Sequence, residues 1–182
     1  VTKFASPKKG LDFALEVVEK LKQDIAENFG EIRVGDEGTF SIDSSNPELG
    51  LEVLLRNARS EEISLALDVA ASSFYTEGKY QIGEKSVSSQ ELLDLYGQFI
   101  DRYHLISIED PFAEDDREGF IKICKDFSDK IKIIGDDLTV TNVEMIKRAE
   151  NEKAATGVII KPNQIGSVSE TLDAITLAQK YN

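Results

Sequence analysis

The sequence is short of residues that several kinds of active and structural site require. Its 182 residues include one cysteine, one histidine and no tryptophan. The lone Cys124 excludes an internal disulfide, and its place in the run "FIKICKDF" predicts a buried position on a helix. The lone His104 excludes multi-histidine zinc sites and the HExxH motif, and we expect it to be a structural or surface residue.

Long apolar runs and an excess of positive charge are also missing. No run approaches the roughly 20 residues of a membrane-spanning helix, and the first residues, "VTKFASPKKG", lack the apolar segment of a secretory signal. We therefore expect no membrane span and a cytoplasmic location. The net charge of −13 argues against a nucleic-acid partner, because Lys and Arg supply most of the affinity for phosphate backbones, and it favours cations instead.

Short apolar runs that end in a polar residue recur along the chain, and a helical pattern follows each of them. They are rich in Ile, Val and Leu, which is typical of parallel strands covered on both faces. Strand and helix alternate after one initial helix, which predicts an α/β fold of about five parallel strands with flanking helices, and no linker divides residues 1–182. The runs are residues 31–38, 63–70, 105–112, 131–137 and 156–163.

Local capping signals mark where several helices begin. Ser6 followed by Pro7 predicts an N-cap and a first helical residue, and Gly30 predicts the end of that helix. Three later helices begin with the capping-box pattern, in which a hydroxyl and a carboxylate satisfy free amides of the first turn. These boxes pair Ser88 with Glu91, Thr141 with Glu144, and Ser167 with Glu170.

Charged residues stand near the carboxyl end of every run. The carboxyl ends of parallel strands lie at one edge of the sheet, where α/β folds bind their ligands. Acids from three neighbouring strands repel one another unless a cation lies between them, and all-oxygen ligands favour Mg²⁺. A lysine beside such a metal, its ammonium form disfavoured by desolvation, would serve as a general base. The residues, in chain order, are Glu37, Asp68, Glu109, Asp136 and Lys161.

The acids that flank these positions have simpler explanations. An acid after a strand is often the N-cap of the next helix, and 34 of the 182 residues are acidic. We therefore expect supporting or capping roles, and not metal ligation, for a second group of acids. That group is Asp110, Asp137, Glu114, Asp115 and Asp116.

Two functions of different classes fit this pattern. One is an enzyme that removes a proton next to a carboxylate, with Mg²⁺ stabilising the resulting anion and lysine as the base. The other is a phosphoacceptor switch module that resembles a bacterial receiver domain, which also combines an acidic Mg²⁺ pocket with a lysine before proline, like Lys161-Pro162 here. A receiver carries its paired acids on the first strand, whereas "GDD" here lies on the fourth, which favours the enzyme.

Longer motifs narrow the choice further. In order along nearly the whole chain, they read "VGDEG", "LALDVAASSFY", "SIEDPFAEDD", "IIGDDLTVTN" and "IIKPNQIGSVSET". They closely resemble successive signatures of enolase, the glycolytic phosphopyruvate hydratase. The resemblance implies a partial TIM-type (β/α) barrel from the C-terminal domain of that family, and a hydro-lyase that interconverts 2-phosphoglycerate and phosphoenolpyruvate.

The resemblance also assigns roles at the strand ends. It implies that Asp68, Glu109 and Asp136 hold the Mg²⁺ that binds the substrate carboxylate and stabilises the enolate. Lys161 matches the base that removes the proton from carbon 2, and Glu37 matches the group that assists departure of the carbon-3 hydroxyl. Glu109, Asp136 and Lys161 are thereby implied to contact the substrate.

The extent of the resemblance carries expectations of its own. Enolases of this type have an N-terminal α+β domain and an eight-stranded barrel, whereas this sequence shows about five barrel strands. We therefore expect an internal piece of an enolase that is inactive by itself, with exposed strand edges that favour self-association. The parent enzyme is expected to be a homodimer with a small-molecule substrate.

Overall fold

The computed structural model describes residues 5–35, 38–58 and 63–181. The chain falls into two compact units, the first comprising Val1–Leu65 with Ile82–Glu84 and the second Ala66–Gln81 with Lys85–Asn182. None of the described helices combines the length and the apolar character that crossing a membrane requires.

Seven α-helices and nine short strands alternate along the described residues, with one 3₁₀ turn at Ala71–Phe74, and this alternation confirms the predicted α/β class. The helices are α1 Pro7–Phe29, α2 Leu49–Asn57, α3 Ser89–Tyr103, α4 Arg117–Phe127, α5 Val143–Glu152, α6 Pro162–Ile165 and α7 Val168–Ala178. The strands are β1 Arg33–Val34, β2 Phe40–Ser41, β3 Ala66–Asp68, β4 Tyr75–Thr76, β5 Lys79–Ile82, β6 Lys85–Val87, β7 Ser107–Glu109, β8 Lys132–Gly135 and β9 Gly157–Val158.

Helix α1 of the first unit begins and ends where the capping signals predict. The Ser6 hydroxyl accepts a hydrogen bond from the main-chain N–H of Lys9, and Pro7 is the first helical residue. The helix ends at Phe29 because Gly30 adopts a φ of +89°, which only glycine reaches without strain. Local sequence signals were sufficient to locate this helix.

In the described residues, the strand formed by the first of the five apolar runs does not join the parallel sheet. The prediction of a parallel strand at residues 31–38 is therefore wrong. Strand β1 pairs antiparallel with β2. Between the two strands, Gly38 adopts a φ of +77° and its N–H donates to the Gly35 carbonyl at 2.9 Å, while the Gly35 N–H donates to the Thr39 carbonyl at 2.9 Å. The parallel sheet of the described residues therefore has four strands.

The second unit is built on a parallel sheet whose strands follow chain order, β3-β7-β8-β9. In its register, Asp68 lies opposite Glu109, Glu109 opposite Ile134, and Gly135 opposite Val158. A barrel sheet keeps one direction in this way, whereas the doubly wound sheet of a receiver reverses beside its first strand. The strand order therefore favours the barrel prediction over the receiver alternative.

The two faces of this sheet differ in burial. Ile108 and Ile133 are fully buried on one face, whereas Asp68, Glu109 and Lys132 on the other face are partly or largely exposed. The sequence pattern predicts cover on both faces, but in the described residues only one face is covered. Because alternate residues of a strand point to opposite faces, the charged strand ends project from the more exposed side.

An aromatic cluster supports the segment that follows β7. The ring of Phe112 contacts Tyr80, Tyr96 and Phe120 edge-on, with centroid distances of 5.9, 5.8 and 6.1 Å. Edge-to-face pairs of this kind add to the stabilisation from burial alone. The segment is therefore held from beneath by packing as well as by the ladder of β7.

Tyr80 adds polar contacts to this packing. Its buried hydroxyl accepts a hydrogen bond from the Ala113 N–H at 3.0 Å and donates one to the Asp116 carboxylate at 2.8 Å. Asp116 in turn caps α4, since its other oxygen accepts from the Gly119 N–H at 3.1 Å. The predicted capping role of Asp116 is confirmed.

The lone cysteine and histidine lie where the sequence predicts. Cys124 is 5% exposed on α4, and burial raises the pKa of its thiol to about 12. His104 is exposed and ends α3 in the left-handed conformation, with a φ of +50°. Each has a structural role.

Two of the three predicted capping boxes begin helices as expected. Ser88 and Glu91 form the full box at α3, and Ser167 caps α7. The third prediction is wrong, because Asn142 caps α5 and accepts two first-turn N–H groups at 2.9 and 3.2 Å. Thr141 adopts a φ of +58°, in the left-handed region, whereas an N-cap residue needs extended backbone.

Gly119→Ala should destabilise the second unit, because a Cβ there would lie 2.6 Å from the Phe112 ring. A Cβ at Gly50, also in the first turn of a helix, would meet nothing within 4 Å. We expect Gly119→Ala to lower the free energy of unfolding by about 1–3 kcal/mol, and the control Gly50→Ala to raise it by up to about 1 kcal/mol. Urea unfolding measures both, and equal effects would contradict the close packing at Phe112.

Candidate metal and catalytic site

Four of the five predicted site residues lie at the carboxyl edge of the parallel sheet. Asp68 ends β3, Glu109 ends β7, Asp136 directly follows β8, and Lys161 follows β9 after a short extended segment. Asp136 is two residues beyond Ile134, which lies opposite Glu109, so the three acids share one face of the sheet. The predicted convergence on one edge is thus present.

The pKa of Glu109 reflects its burial and the charges around it. Burial raises the pKa of its carboxyl above the ordinary value, and the negative charges of Asp68, Asp136 and Asp110 raise it further. The positive charge of Lys161 acts in the opposite direction but does not outweigh them. A cation between these carboxylates would relieve the repulsion.

Asp136 is the most enclosed of the predicted ligands, at 6% exposure, and both of its oxygens have donors. Its Oδ2 accepts a hydrogen bond from Nζ of Lys161 in a close ion pair, and its Oδ1 accepts from Nε2 of Gln164 at 3.0 Å. The carboxylate is therefore held in one orientation.

The protonation of the Lys161 amine differs from the sequence prediction. Its hydrogen bond to Asp136 raises the pKa of its amine, and although partial burial lowers it, the charges of Asp136, Glu109 and Asp137 raise it again. The side chain is 45% exposed, so desolvation is too weak to disfavour the ammonium form as predicted. In this arrangement Lys161 is a protonated partner of Asp136.

Asp110 ties the end of β7 to the end of β8. Its Oδ1 accepts from the Asp136 N–H at 2.9 Å and its Oδ2 from the Asp137 N–H at 2.8 Å. It is 4% exposed with a φ of +40°, and burial raises the pKa of its carboxyl even though the two backbone bonds lower it. The predicted supporting role of Asp110 agrees with these contacts.

The carboxylates that lie close enough together to hold a metal are not the predicted set of Asp68, Glu109 and Asp136. Within the described ranges, Asp110, Asp136 and Asp137 form the one group of three candidate ligands whose atoms all lie within 4.8 Å of one another, and Asp68 and Glu109 are not in it. Both oxygens of Asp110 already accept main-chain N–H groups, which weakens this set as a ligand sphere. In either set, carboxylate oxygens fit a hard cation such as Mg²⁺.

The remaining predicted acids lie away from the strand ends or outside the description. Glu114 and Asp115 are exposed and line a cleft of about 410 Å³ together with Arg117 and Arg148. Glu37, the predicted catalytic acid, lies outside the described residues, so its role stays a prediction.

Sequence reasoning missed two residues of the site, Thr141 and Gln164. Thr141 is fully buried, and its hydroxyl accepts from the Lys161 N–H at 2.8 Å and bonds the Gln164 side-chain carbonyl at 3.2 Å. The capping-box pattern assigned Thr141 to the start of α5. The adjacent Asn142 is itself a strong N-cap residue, and this was the signal that Thr141 could have a different role.

Comparisons with known proteins agree on one family. A family model described as "Enolase, C-terminal TIM barrel domain" matches residues 2–182. Curated proteins named enolase from Elusimicrobium minutum, Thermococcus gammatolerans and Methanocaldococcus jannaschii are 42%, 41% and 43% identical over 176, 177 and 169 residues. These matches cover 95%, 92% and 90% of the chain but 42%, 41% and 40% of the relatives, so the chain spans about two fifths of their length.

The crowding around Glu109 predicts a pH-dependent stability in metal-free buffer. Because its folded-state pKa is raised, its contribution to stability is present below the ordinary value of 4.5 and is lost as the pH rises through the folded-state pKa. Asp68→Asn removes one repelling charge and should lower the pKa of Glu109. Carbon-13 shifts of the carboxyl group against pH measure this, and an unchanged midpoint in Asp68→Asn would show that the two acids do not interact.

Proposed function

Because this chain belongs to the enolase family, through that family's C-terminal barrel domain, we propose that it carries the proton-transfer and metal-binding groups for interconverting 2-phosphoglycerate and phosphoenolpyruvate plus water. The observation that carries the proposal is the ion pair of Asp136 and Lys161, beside Glu109 and at the sheet edge that Asp68 shares. The reaction needs a base next to a group of acids that can hold a cation, and this edge offers both.

Lys161 acts as the base toward carbon 2 of the substrate. A proton next to a carboxylate is weakly acidic, so its removal requires a nearby amine that accepts it and positive charge beside the developing anion. To act as the base, Nζ of Lys161 must first lose a proton to solvent, and its ion pair with Asp136, which favours the ammonium form, governs how readily it does so. The neutral amine then accepts the carbon-2 proton and returns it in the reverse reaction. Mg²⁺, when bound, supplies positive charge beside the substrate carboxylate.

The proposed metal ligands are Asp68, Glu109 and Asp136. The main-chain N–H of Asp136 donates to the Asp110 carboxylate, which fixes the backbone at the end of β8. Because both oxygens of Asp136 accept from Lys161 and Gln164, this carboxylate would bind the cation through its remaining lone pairs. The raised pKa of Glu109 supports this choice, because after burial, its largest cause, the negative charges of Asp68 and Asp136 raise it further. The set of Asp110, Asp136 and Asp137 is the competing assignment.

Several finer parts of the enolase interpretation remain predictions. They are the role of Glu37 in departure of the hydroxyl group, a homodimeric parent enzyme, a cytoplasmic location and the absence of turnover by residues 1–182 alone. The last follows from the chain spanning about two fifths of its relatives, since the other substrate contacts are expected from the rest of the protein.

Mg²⁺ titration distinguishes the two ligand sets. In the full natural chain that carries this sequence, Asp68→Asn and Glu109→Gln should each weaken Mg²⁺ binding by about 10-fold to 100-fold or more. Loss of a group that only supports a metal ligand already costs that much affinity. The matched control Asp137→Asn should bind Mg²⁺ nearly as the unaltered protein does. Isothermal titration calorimetry measures all three, and the opposite pattern would assign the metal to Asp110, Asp136 and Asp137.

Removal of the base should slow turnover strongly without loss of fold. In the full natural chain, Lys161→Ala should lower kcat by about 10²-fold to 10⁴-fold, because a positioned base contributes that much. Lys125→Ala, at an exposed lysine of α4, is the control and should be active. Absorbance of phosphoenolpyruvate measures turnover and circular dichroism the fold. Near-normal kcat in Lys161→Ala would refute the assignment, and turnover by residues 1–182 alone would refute their predicted inactivity.

A further inference from the structure

We propose that Thr141 and Gln164 are positioning residues that set the mutual orientation of Asp136 and Lys161, an inference that rests on the function proposed above. The four residues form a closed ring of hydrogen bonds. Gln164 donates to Oδ1 of Asp136 at 3.0 Å, and Thr141 bonds the Gln164 carbonyl at 3.2 Å. Thr141 also accepts from the Lys161 N–H at 2.8 Å, and Nζ of Lys161 closes the ring on Oδ2 of Asp136.

The donors and acceptors of the ring have only one consistent arrangement. A main-chain N–H can only donate, so the Thr141 hydroxyl accepts from Lys161 and has its own proton free for the carbonyl of Gln164. That contact orients the Gln164 amide so that its NH₂ group faces Asp136. Thr141 thus determines indirectly which oxygen of Asp136 is left for Lys161.

Backbone conformation supports a dedicated role for Thr141. Val140 and Thr141 have φ values of +42° and +58°, a region that β-branched residues rarely occupy, and such strain concentrates at functional sites. Thr141 is also fully buried, so its hydroxyl must find its partners inside the protein. It does not cap α5, which Asn142 caps, so the strained geometry serves the contacts to Lys161 and Gln164.

The ring adds side-chain contacts between segments that follow the paired strands β8 and β9. Asp136 follows β8, Thr141 lies before α5, and Lys161 and Gln164 flank the start of α6. Lys161 has a long and partly exposed side chain, which would otherwise sample many rotamers. Anchoring its main chain to Thr141 and its partner carboxylate to Gln164 restricts that freedom where the reaction needs a defined geometry.

The test compares Thr141→Val, Gln164→Leu and Thr141→Ser in the full natural chain. Valine retains the shape of threonine but loses both hydrogen bonds, whereas serine keeps the hydroxyl. We expect the Val and Leu variants to lower kcat and weaken Mg²⁺ binding by about 10-fold to 100-fold, with KM little changed, and the Ser variant to recover most of both. Wild-type kcat and Mg²⁺ affinity in Thr141→Val and Gln164→Leu would overturn the proposal.

Thr171→Val is the matched structural control. Thr171 is also a buried threonine, at 6% exposure, but its hydroxyl donates to the carbonyl of Ser167, the N-cap residue of α7, and among the described residues it has no contact with the ring. The Thr171→Val variant should have a lower melting temperature and an unchanged affinity for Mg²⁺. If Thr171→Val weakens Mg²⁺ binding as much as Thr141→Val does, the effect is one of general stability and the positioning role is overturned.

A metal-free measurement separates this proposal from the function on which it rests. The ¹H–¹⁵N resonance of the Lys161 ammonium group reports its ion pair with Asp136 without substrate or Mg²⁺. It should shift or broaden in Thr141→Val and Gln164→Leu and stay unchanged in Thr171→Val. An unchanged resonance in the first two variants would overturn the positioning role. Absent turnover and Mg²⁺ binding in the unaltered protein would instead overturn the proposed function.

Discussion

Parallel pairing of β3, β7, β8 and β9 brings three carboxylates to one edge and one face of a sheet, and their mutual repulsion is the constraint on which the site depends. Together with burial, which is the larger cause, this repulsion raises the pKa of Glu109. The protein offsets this repulsion with fixed partners. Lys161 pairs with Asp136, Gln164 donates to the same carboxylate, and main-chain N–H groups bind Asp110.

Packing and hydrogen bonds hold the segment that follows β7 in place beside these charges. Phe112 and its aromatic neighbours fill the space under the segment that follows β7, while the Tyr96 hydroxyl donates to the Pro111 carbonyl at 2.6 Å. Tyr80 bonds both the main chain of that segment and the cap of α4. Burial and hydrogen bonding together thus hold a strand end that electrostatics alone would push outward.

Strained backbone is also found at the same edge of the sheet. Asp110, Val140 and Thr141 all have positive φ values, and each is within two residues of a contact to Asp136 or Lys161. Conformations of this kind persist only where surrounding contacts over-determine them. The hydrogen bonds of Asp110 and Thr141 are such contacts, and the same hydrogen bonds orient the groups around Asp136 and Lys161.

Features that arise from short-range pattern could be predicted without the structure. Apolar runs with polar ends predicted four of the sheet strands and the charged residues at their ends, and the Ser6 and Ser88 signals located two helix starts, because strand alternation and capping depend on neighbouring residues. The motifs of the sequence also identified the family that the comparisons confirm.

The pairing of those residues, by contrast, became visible only in the folded chain. Strand β1 pairs antiparallel with β2, and the protonation of Lys161 depends on its contact with Asp136. The ring through Thr141 and Gln164 joins residues 20 to 28 positions apart in the chain. Local pattern cannot specify such partners, because the free energy of a buried hydrogen bond depends on which groups the folded chain brings within reach, and on what else they bind there.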